Sequence, residues 1–292
     1  MKKIAFLLTI VLAIGCFPLF SQSHGPATIT LASWNIEQFG EAKSTDPVRL
    51  ARIASVVKEF DVVAIQEIVH APSQGQDVVD RLTSELQNQH RRNYDVALGP
   101  RTGCPGGRVE QYAVLFDSEI LERVGNTTTI ADDPSATDNM CRDPLVVRLK
   151  LRNTAATLTF TLIVVHTDPN PASALRRDLN ALGRIYQAVQ ANNTQDDDVL
   201  LLGDLNAEPS RFQGLGSVPD LVYAVPDSGT MVLSASRNDN IVFQWRPTGE
   251  DYTGRAGVFR VARFLGISEQ DADALSDHRP VYAVFFTRRD TR

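Results

Sequence analysis

Cysteine is scarce in this chain, with three among 292 residues, and histidine occurs only five times. These residues are too few and too scattered for a zinc site, whose Cys and His ligands come in closely spaced pairs. Glycine/serine linkers, low-complexity tracts and internal repeats are also missing from the sequence. We therefore predict one domain over residues 27–288, which is enough chain to bury a large core.

Basic residues are fewer than acidic residues in this chain. The 29 Lys and Arg residues against 35 Asp and Glu give a net charge of −6, which becomes about −8 once Lys2 and Lys3 are removed. Such a chain lacks the broad basic surface of proteins that hold nucleic acid tightly. An enzyme that meets a phosphate substrate through metal ions and a few arginines remains compatible with this charge.

Long apolar runs are missing except at the N-terminus, where Met1-Lys2-Lys3 precedes an apolar segment over residues 4–15. This segment is too short to cross a bilayer and has the basic and apolar regions of a secretory signal peptide. We predict a signal peptide over residues 1–23 and a secreted or periplasmic protein without a transmembrane segment in its mature part. The stretch Ala13-Ile14-Gly15-Cys16 resembles a lipoprotein box, so a lipid anchor on Cys16 stays open.

Apolar strand-like segments alternate with amphipathic helical segments along the rest of the chain. The predicted strands cover residues 28–34, 61–65, 94–98, 111–116, 145–151, 158–165, 200–202, 241–245 and 281–286. One helix is predicted to begin at Asp46-Pro47, with Thr45 as its capping residue. Two further helices are predicted over residues 77–89 and 173–192. Mixed strands with helices between some of them predict a layered α/β sandwich.

Polar residues follow many of these strands at the point where the strand ends. The most informative case is Asp204-Leu205-Asn206, because the two-residue period places its carboxylate and amide on the same side of a strand. The others are Asn35, Glu67, His166, Asp239 and Asp277-His278. Each of them alone is compatible with a turn or a capping role. Their shared position just beyond buried strands predicts an active site at the mouth of a sheet.

Six short sequence blocks that contain these residues, taken in their order along the chain, resemble the endonuclease/exonuclease/phosphatase superfamily. They are Trp34-Asn35-Ile36, Ile65-Gln66-Glu67, Val165-His166, Gly203-Asp204-Leu205-Asn206, Asp239-Asn240-Ile241-Val242 and Ser276-Asp277-His278-Arg279-Pro280. Further stretches, including Glu110–Phe116 and Arg142–Val147, are similar to the deoxyribonuclease I-like branch. The resemblance covers nearly all of the mature chain. It implies a four-layered α/β sandwich, with two mixed β-sheets packed face to face and helices on the outer faces.

The resemblance also implies a role for each strand-end residue. Glu67 is expected to be the principal ligand of Mg²⁺ or Mn²⁺, together with Asn35 and Asp277. Asp204 and Asn206 are expected to orient the attacking water and the phosphate. The implied acid–histidine pairs are Glu110 with His166 and Asp239 with His278, which suit the two proton transfers of phosphodiester hydrolysis.

Substrate contacts are less well defined. Arg142 lies inside a matching block, and Arg101 and Arg108 flank a glycine-rich loop that could present them to phosphates. The branch has an arginine where this chain has Val69 and a tyrosine where it has Arg108, so the same grip on duplex DNA is not implied.

A calcium site and a disulfide are also predicted. A structural Ca²⁺ is expected near Asp227, Ser228 and Thr230. In an exported protein, Cys104 and Cys141 are expected to form a disulfide, which would hold the arginine-bearing segments together.

These observations predict a monomeric, exported, divalent-metal-dependent endonuclease that hydrolyses DNA with little sequence preference. Two alternatives stay open. One is a phosphatase or a sphingomyelinase-like phosphodiesterase on the same scaffold. The other is a non-catalytic binding module, which predicts the loss of a metal ligand or a histidine, whereas all of these residues are present.

Overall fold

The computed structural model describes residues 27–70, 75–103, 108–125, 129–130, 133–135, 140–152, 158–192 and 198–287. The predicted signal peptide, the possible lipid anchor on Cys16 and the predicted disulfide partner Cys104 lie outside these residues. Among the helices of the described part, none combines the length and the apolar character needed to cross a bilayer.

Two mixed β-sheets form the centre of the molecule. The strands are β1 (Thr28–Phe39), β2 (Val62–Ile68), β3 (Tyr94–Leu98), β4 (Gln111–Asp117), β5 (Leu121–Arg123), β6 (Thr129–Ile130), β7 (Leu145–Leu151), β8 (Thr159–His166), β9 (Val199–Asp204), β10 (Leu221–Tyr223), β11 (Asp239–Gln244), β12 (Tyr252–Val258) and β13 (Val281–Phe286). One sheet has the order β12-β13-β1-β2-β4-β3 and the other β10-β11-β9-β8-β7-β5, with β6 also paired to β7.

Six α-helices accompany the sheets in the described part of the chain. They are α1 (Glu41–Ser44), α2 (Pro47–Val57), α3 (Gly75–His90), α4 (Ala172–Asn192), α5 (Val261–Leu265) and α6 (Glu269–Asp273). The start of α2 corrects one prediction, because Asp46 and not Thr45 accepts the backbone N–H groups of Val48 and Arg49. Asp46 is therefore the N-terminal cap of this helix.

Three hydrophobic clusters define the layers. The first lies between the sheets and contains Leu31 and Val62 of one sheet with Leu162 and Leu200 of the other. The second packs the outer face of the first sheet against α2 and α3, and the third packs the second sheet against α4. The result is the predicted four-layered α/β sandwich, because each sheet buries one face on the other sheet and one on helices.

Each sheet has a parallel pair of strands near its centre. In the first sheet β1 runs parallel to β2, and in the second β8 runs parallel to β9. The neighbours β4, β11 and β13 are antiparallel to these strands, so they begin at the edge where the parallel pairs end. This topology brings residues from distant parts of the sequence to one edge of the sandwich.

Candidate active site

The polar residues predicted from the strand ends meet at this edge. Asn35 lies on β1, Glu67 on β2, His166 at the end of β8 and Asp204 at the end of β9. Glu110 precedes β4, Asp239 opens β11, and Asp277-His278 precedes β13. The two sheets are joined here by the Asn35 side chain, whose Nδ2 donates to Glu67 Oε1 and to Asp204 Oδ2, each at 3.1 Å.

The first acid–histidine pair consists of Glu110 and His166. His166 Nδ1 lies 2.8 Å from Glu110 Oε1, and Arg142 Nη1 donates to the other carboxylate oxygen at 3.1 Å. Burial alone would lower the pKa of His166, but the charge and hydrogen bond of Glu110 together with the charge of Asp204 outweigh burial and raise the pKa above its ordinary value. The carboxylate therefore favours the charged imidazolium and holds the ring in a single orientation.

The second pair consists of Asp239 and His278. Asp239 Oδ2 lies 2.9 Å from His278 Nδ1, and both residues are buried. Burial opposes the positive charge, yet Asp239 and Asp204 together raise the pKa of His278 to about 10. At neutral pH His278 is thus an imidazolium, the form that can give a proton to a leaving group.

Asp204 lies between the two histidines. Its Oδ2 is 3.5 Å from the Nε2 atom of His166 and 3.5 Å from that of His278. Its other oxygen accepts the backbone N–H of Asn206 at 2.9 Å, and the Asn206 amide donates to the Thr167 carbonyl at 3.0 Å. Both imidazoles therefore direct their second nitrogen toward one point.

Glu67 reaches the site through an irregularity in β2. Strand alternation places its neighbour Gln66 on the inner face, where it bonds Ser33, so Glu67 in regular geometry would face the helices. The pairing of β2 shifts register here, and Glu67 has a φ of 59°, in the left-handed region. Its Oε2 accepts the Gln38 backbone N–H at 3.0 Å. Strained backbone at such a position is common in functional sites.

The surroundings of Glu67 favour the charged form of its carboxylate. Burial would raise the pKa, but the charge of His166 and the hydrogen bonds from Gln38 and Asn35 lower it below the ordinary value. A charged, partly buried carboxylate beside other oxygen groups suits a hard divalent cation.

The endonuclease/exonuclease/phosphatase family profile matches residues 32–265, which include all of these strand ends except His278 and Asp277. The chain belongs to this family. It is 26% identical to Deoxyribonuclease-1 of Gallus gallus, over 87% of this chain and 91% of that protein. This relative confirms the resemblance to the deoxyribonuclease I-like branch.

Solved structures of other proteins share the fold. A mannosyl-6-phosphatase of Bacteroides thetaiotaomicron has a TM-score of 0.58 and 16% identity, covering 87% of this chain and 98% of that one. D. rerio TDP2 complexed with a single-strand DNA product has a TM-score of 0.57 and 15% identity, covering 90% and 100%. At these identities the likeness extends to the sandwich alone.

Two groups of residues could hold a cation. The first is the buried cluster of Asp204, Asp239 and His278. In it, His278 Nδ1 is already bonded to Asp239, so the geometry is that of a hydrogen-bonded acid–histidine pair. The second is the predicted set, in which the buried Oδ1 atoms of Asn35 and Asp277 accept no hydrogen bond from the described residues. Such oxygens beside the charged Glu67 fit an oxygen-liganded cation. In the first cluster Asp239 Oδ1 also accepts no hydrogen bond from the described residues, and Asp277 Oδ1 lies 3.7 Å from His278 Nε2, so both sets offer ligand atoms.

The three predicted substrate arginines occupy different surroundings. Arg108 is half exposed and donates to Glu67 Oε2 at 3.2 Å, so it lies at the site. Arg101 instead donates to the His70 carbonyl at 2.7 Å. Arg142 is buried behind the first pair, where its Nη2 donates to the Thr167 carbonyl at 2.8 Å. Substrate contacts by any of them stay predictions.

Sequence reasoning missed several residues that support the site. Thr167 supplies the carbonyl shared by Arg142 and Asn206, and Asp178 of α4 fixes the next residue by accepting the Asp168 N–H at 2.8 Å. Ser276 donates to the Asn35 carbonyl at 2.6 Å and accepts the His278 N–H at 3.0 Å. Backbone carbonyls carry no sequence signal, although an aspartate on the buried face of a predicted helix was a recognisable anomaly.

The residues of the predicted calcium site lie in different surroundings. Thr230 is buried, and its hydroxyl accepts the backbone N–H groups of Asn238 and Asp239 at 3.0 and 3.2 Å. Asp227 is exposed and lies 3.7 Å from Arg237. Thr230 thus supports the second acid–histidine pair, and a Ca²⁺ bound near these residues stays a prediction.

Proposed function

We propose that this protein is an exported, divalent-metal-dependent phosphodiesterase that cleaves DNA internally with little sequence preference. The observation that carries the proposal is the pair of buried acid–histidine units whose Nε2 atoms converge on Asp204. A carboxylate that can accept a proton beside an imidazolium that can give one suits a reaction in which one oxygen loses a proton and another gains one. Phosphodiester hydrolysis is such a reaction, and the relatives named deoxyribonuclease favour DNA as its substrate.

The proposed roles follow from the contacts. Asp204 and Asn206 hold the attacking water and the phosphate between the histidines. The attacking water gives its proton to Asp204, and His278, positively charged at neutral pH, protonates the leaving oxygen while His166 stabilises charge on the phosphate. Glu67, Asn35 and Asp277 would hold Mg²⁺ or Mn²⁺. A cation bound there supplies positive charge to the phosphate and lowers the pKa of a bound water.

The acidic surface is consistent with a transient substrate complex. With a net charge of −6, the chain relies on local positive groups to meet phosphates, and Arg108 beside Glu67 is the half-exposed candidate. Contacts of this kind go to the DNA backbone and carry no base information, so cleavage with little sequence preference is expected.

The test is a comparison of substrates with matched variants. Supercoiled plasmid, sphingomyelin, a sugar phosphate and a generic phosphodiester are incubated with the protein in Mg²⁺, with and without EDTA. We expect plasmid nicking that EDTA abolishes and that His166→Ala lowers by at least about 100-fold, whereas His90→Ala, on α3, behaves as the parent. Hydrolysis of sphingomyelin or the sugar phosphate without nicking would replace the nuclease proposal by the phosphodiesterase or phosphatase alternative. Inactivity on all four would favour a binding module.

A further inference from the structure

The residue after the catalytic histidine, Arg279, has no role in the reaction as described above. Its guanidinium is buried, with 7% of the residue exposed. Nη1 donates to the Met231 carbonyl, and Nη2 donates to the Val232 carbonyl at 2.6 Å and to Glu269 Oε2 at 3.1 Å. Three oxygens from two distant segments thus converge on one buried cation.

The segment held by Arg279 leads directly to Asp239. Its anchor points are the Met231–His278 bridge, the Val232 N–H bonded to the Asp277 carbonyl at 2.7 Å, and the Arg279 N–H bonded to the Thr230 carbonyl at 2.6 Å. The Thr230 hydroxyl then accepts the Asp239 N–H. Arg279 therefore fixes the position of Thr230, and Thr230 in turn fixes Asp239, whose carboxylate orients His278.

We propose that Arg279 is a positioning residue that fixes the Thr230–Asp239 segment, so that the Asp239–His278 pair is pre-formed without a structural Ca²⁺. Backbone carbonyl and carboxylate oxygens are the ligands that Ca²⁺ takes in proteins. Here a guanidinium attached to the chain occupies them, and its planar fork can satisfy all three at once. A lysine at this position would present a single ammonium and could not match this geometry.

The proposal depends on the proposed function only for its kinetic readout. The direct readout is the low-field proton NMR signal of the His278 Nδ1–H···Asp239 hydrogen bond, recorded on the full chain without added metal. The equivalent His166 signal in the same spectrum reports on the first pair and is the internal control. Both signals are assigned with His166→Gln and His278→Gln variants, and the exposed Arg263→Ala is the matched arginine control.

In Arg279→Ala we expect the His278 signal to be lost or strongly broadened while the His166 signal persists. Millimolar guanidinium should restore it, and kcat on DNA should fall roughly tenfold with little change in KM. EGTA in excess Mg²⁺ should leave the parent spectrum unchanged. An unchanged His278 signal in Arg279→Ala, or its loss from the parent in EGTA, would overturn the proposal.

If Arg279→Ala loses both signals because it does not fold, the Arg279→Lys variant tests the proposal instead. That variant keeps the charge and most of the volume, so we expect a folded protein with a weakened His278 signal. A His278 signal as sharp as that of the parent would overturn the proposal. Because this readout requires no substrate, a protein inactive on DNA could still support the role of Arg279.

Discussion

Two residues of the site depend on backbone torsions that most side chains avoid. Glu67, with φ of 59°, turns its carboxylate out of the strand alternation and into the site, and Asn206 has a φ of 47°. Gly203, with φ of 153°, passes so close to β8 that a Cβ would lie 1.9 Å from the Val165 carbonyl oxygen. At the residue scale, the positions of Asp204 and Glu67 are thus set by backbone as much as by side-chain packing.

Replacing Gly203 by alanine tests this. The new Cβ must push β9 away from β8, which displaces Asp204 from the histidines, so we expect a loss of about 2–4 kcal/mol in the free energy of unfolding together with strongly reduced nicking. The matched control is Gly254→Ala, where φ is also positive but a Cβ meets nothing within 4 Å. That variant should lose only about 1 kcal/mol, measured by urea unfolding. Equal losses for the two variants would show that close approach is unimportant.

The Glu110–His166 pair gives a second prediction at this scale. In Glu110→Gln the ring stays buried but loses the neighbouring charge that raises its pKa, so the pKa of His166 should fall well below that of the parent. Activity should drop about 10²–10⁴-fold. Ring NMR titration and nicking rates measure the two effects, with the exposed Glu119→Gln as control. A pKa of His166 that does not change would contradict the assignment of Glu110 as its partner.

At the scale of elements, the sequence predicted best what depends on period and strand ends. Buried strands such as β2 and β9 were recognisable as apolar runs, and the polar residue that ends each one indicated the site. The edge strand β12 was not predicted, because its half-buried, glycine-containing sequence has no clear alternation. The reorientation of Glu67 could not be derived either, since it arises from a register shift between three strands.

The buried Asp178 on helix α4 gives a prediction about stability and pH. This carboxyl is buried, and burial raises its pKa to about 6, so its proton is bound more tightly in the folded state than in the unfolded chain. The stabilisation is complete below about pH 4 and is lost as pH rises through 6. Asp178→Asn keeps an acceptor for the Asp168 N–H without a charge. It should therefore gain about 1–3 kcal/mol over the parent at pH 8 and nothing at pH 4.

Urea unfolding at both pH values measures this difference, with the exposed Asp95→Asn as the control variant. The same experiment separates stability from positioning, because nicking by Asp178→Asn should stay within about threefold of the parent if the Asp168 N–H remains bound. A variant that is less stable at pH 8 than at pH 4, relative to the parent, would show that the Asp178 carboxylate is not penalised by burial.

At the scale of the whole molecule, the site exists only because the two sheets pack face to face. Glu67 and Glu110 come from the first sheet, and His166, Asp204 and Asp239 come from the second. The order of the sequence blocks indicated that these residues belong together. Their partners across the interface, such as the Asn35 amide between Glu67 and Asp204, required the three-dimensional packing. Supports built from backbone groups, including the Thr167 carbonyl, stay invisible to sequence reasoning.

In the proposed reaction both acid–histidine pairs act together, one on either side of Asp204. The most direct test is a double-mutant cycle on plasmid nicking in Mg²⁺ with His166→Ala, His278→Ala and the double variant, all checked for parental unfolding stability. Groups that act as a unit show strongly non-additive losses. We therefore expect each single variant to lose at least about 100-fold in kcat and the double variant to lose little more. Losses that multiply, or a single variant with parental kcat, would contradict the claim.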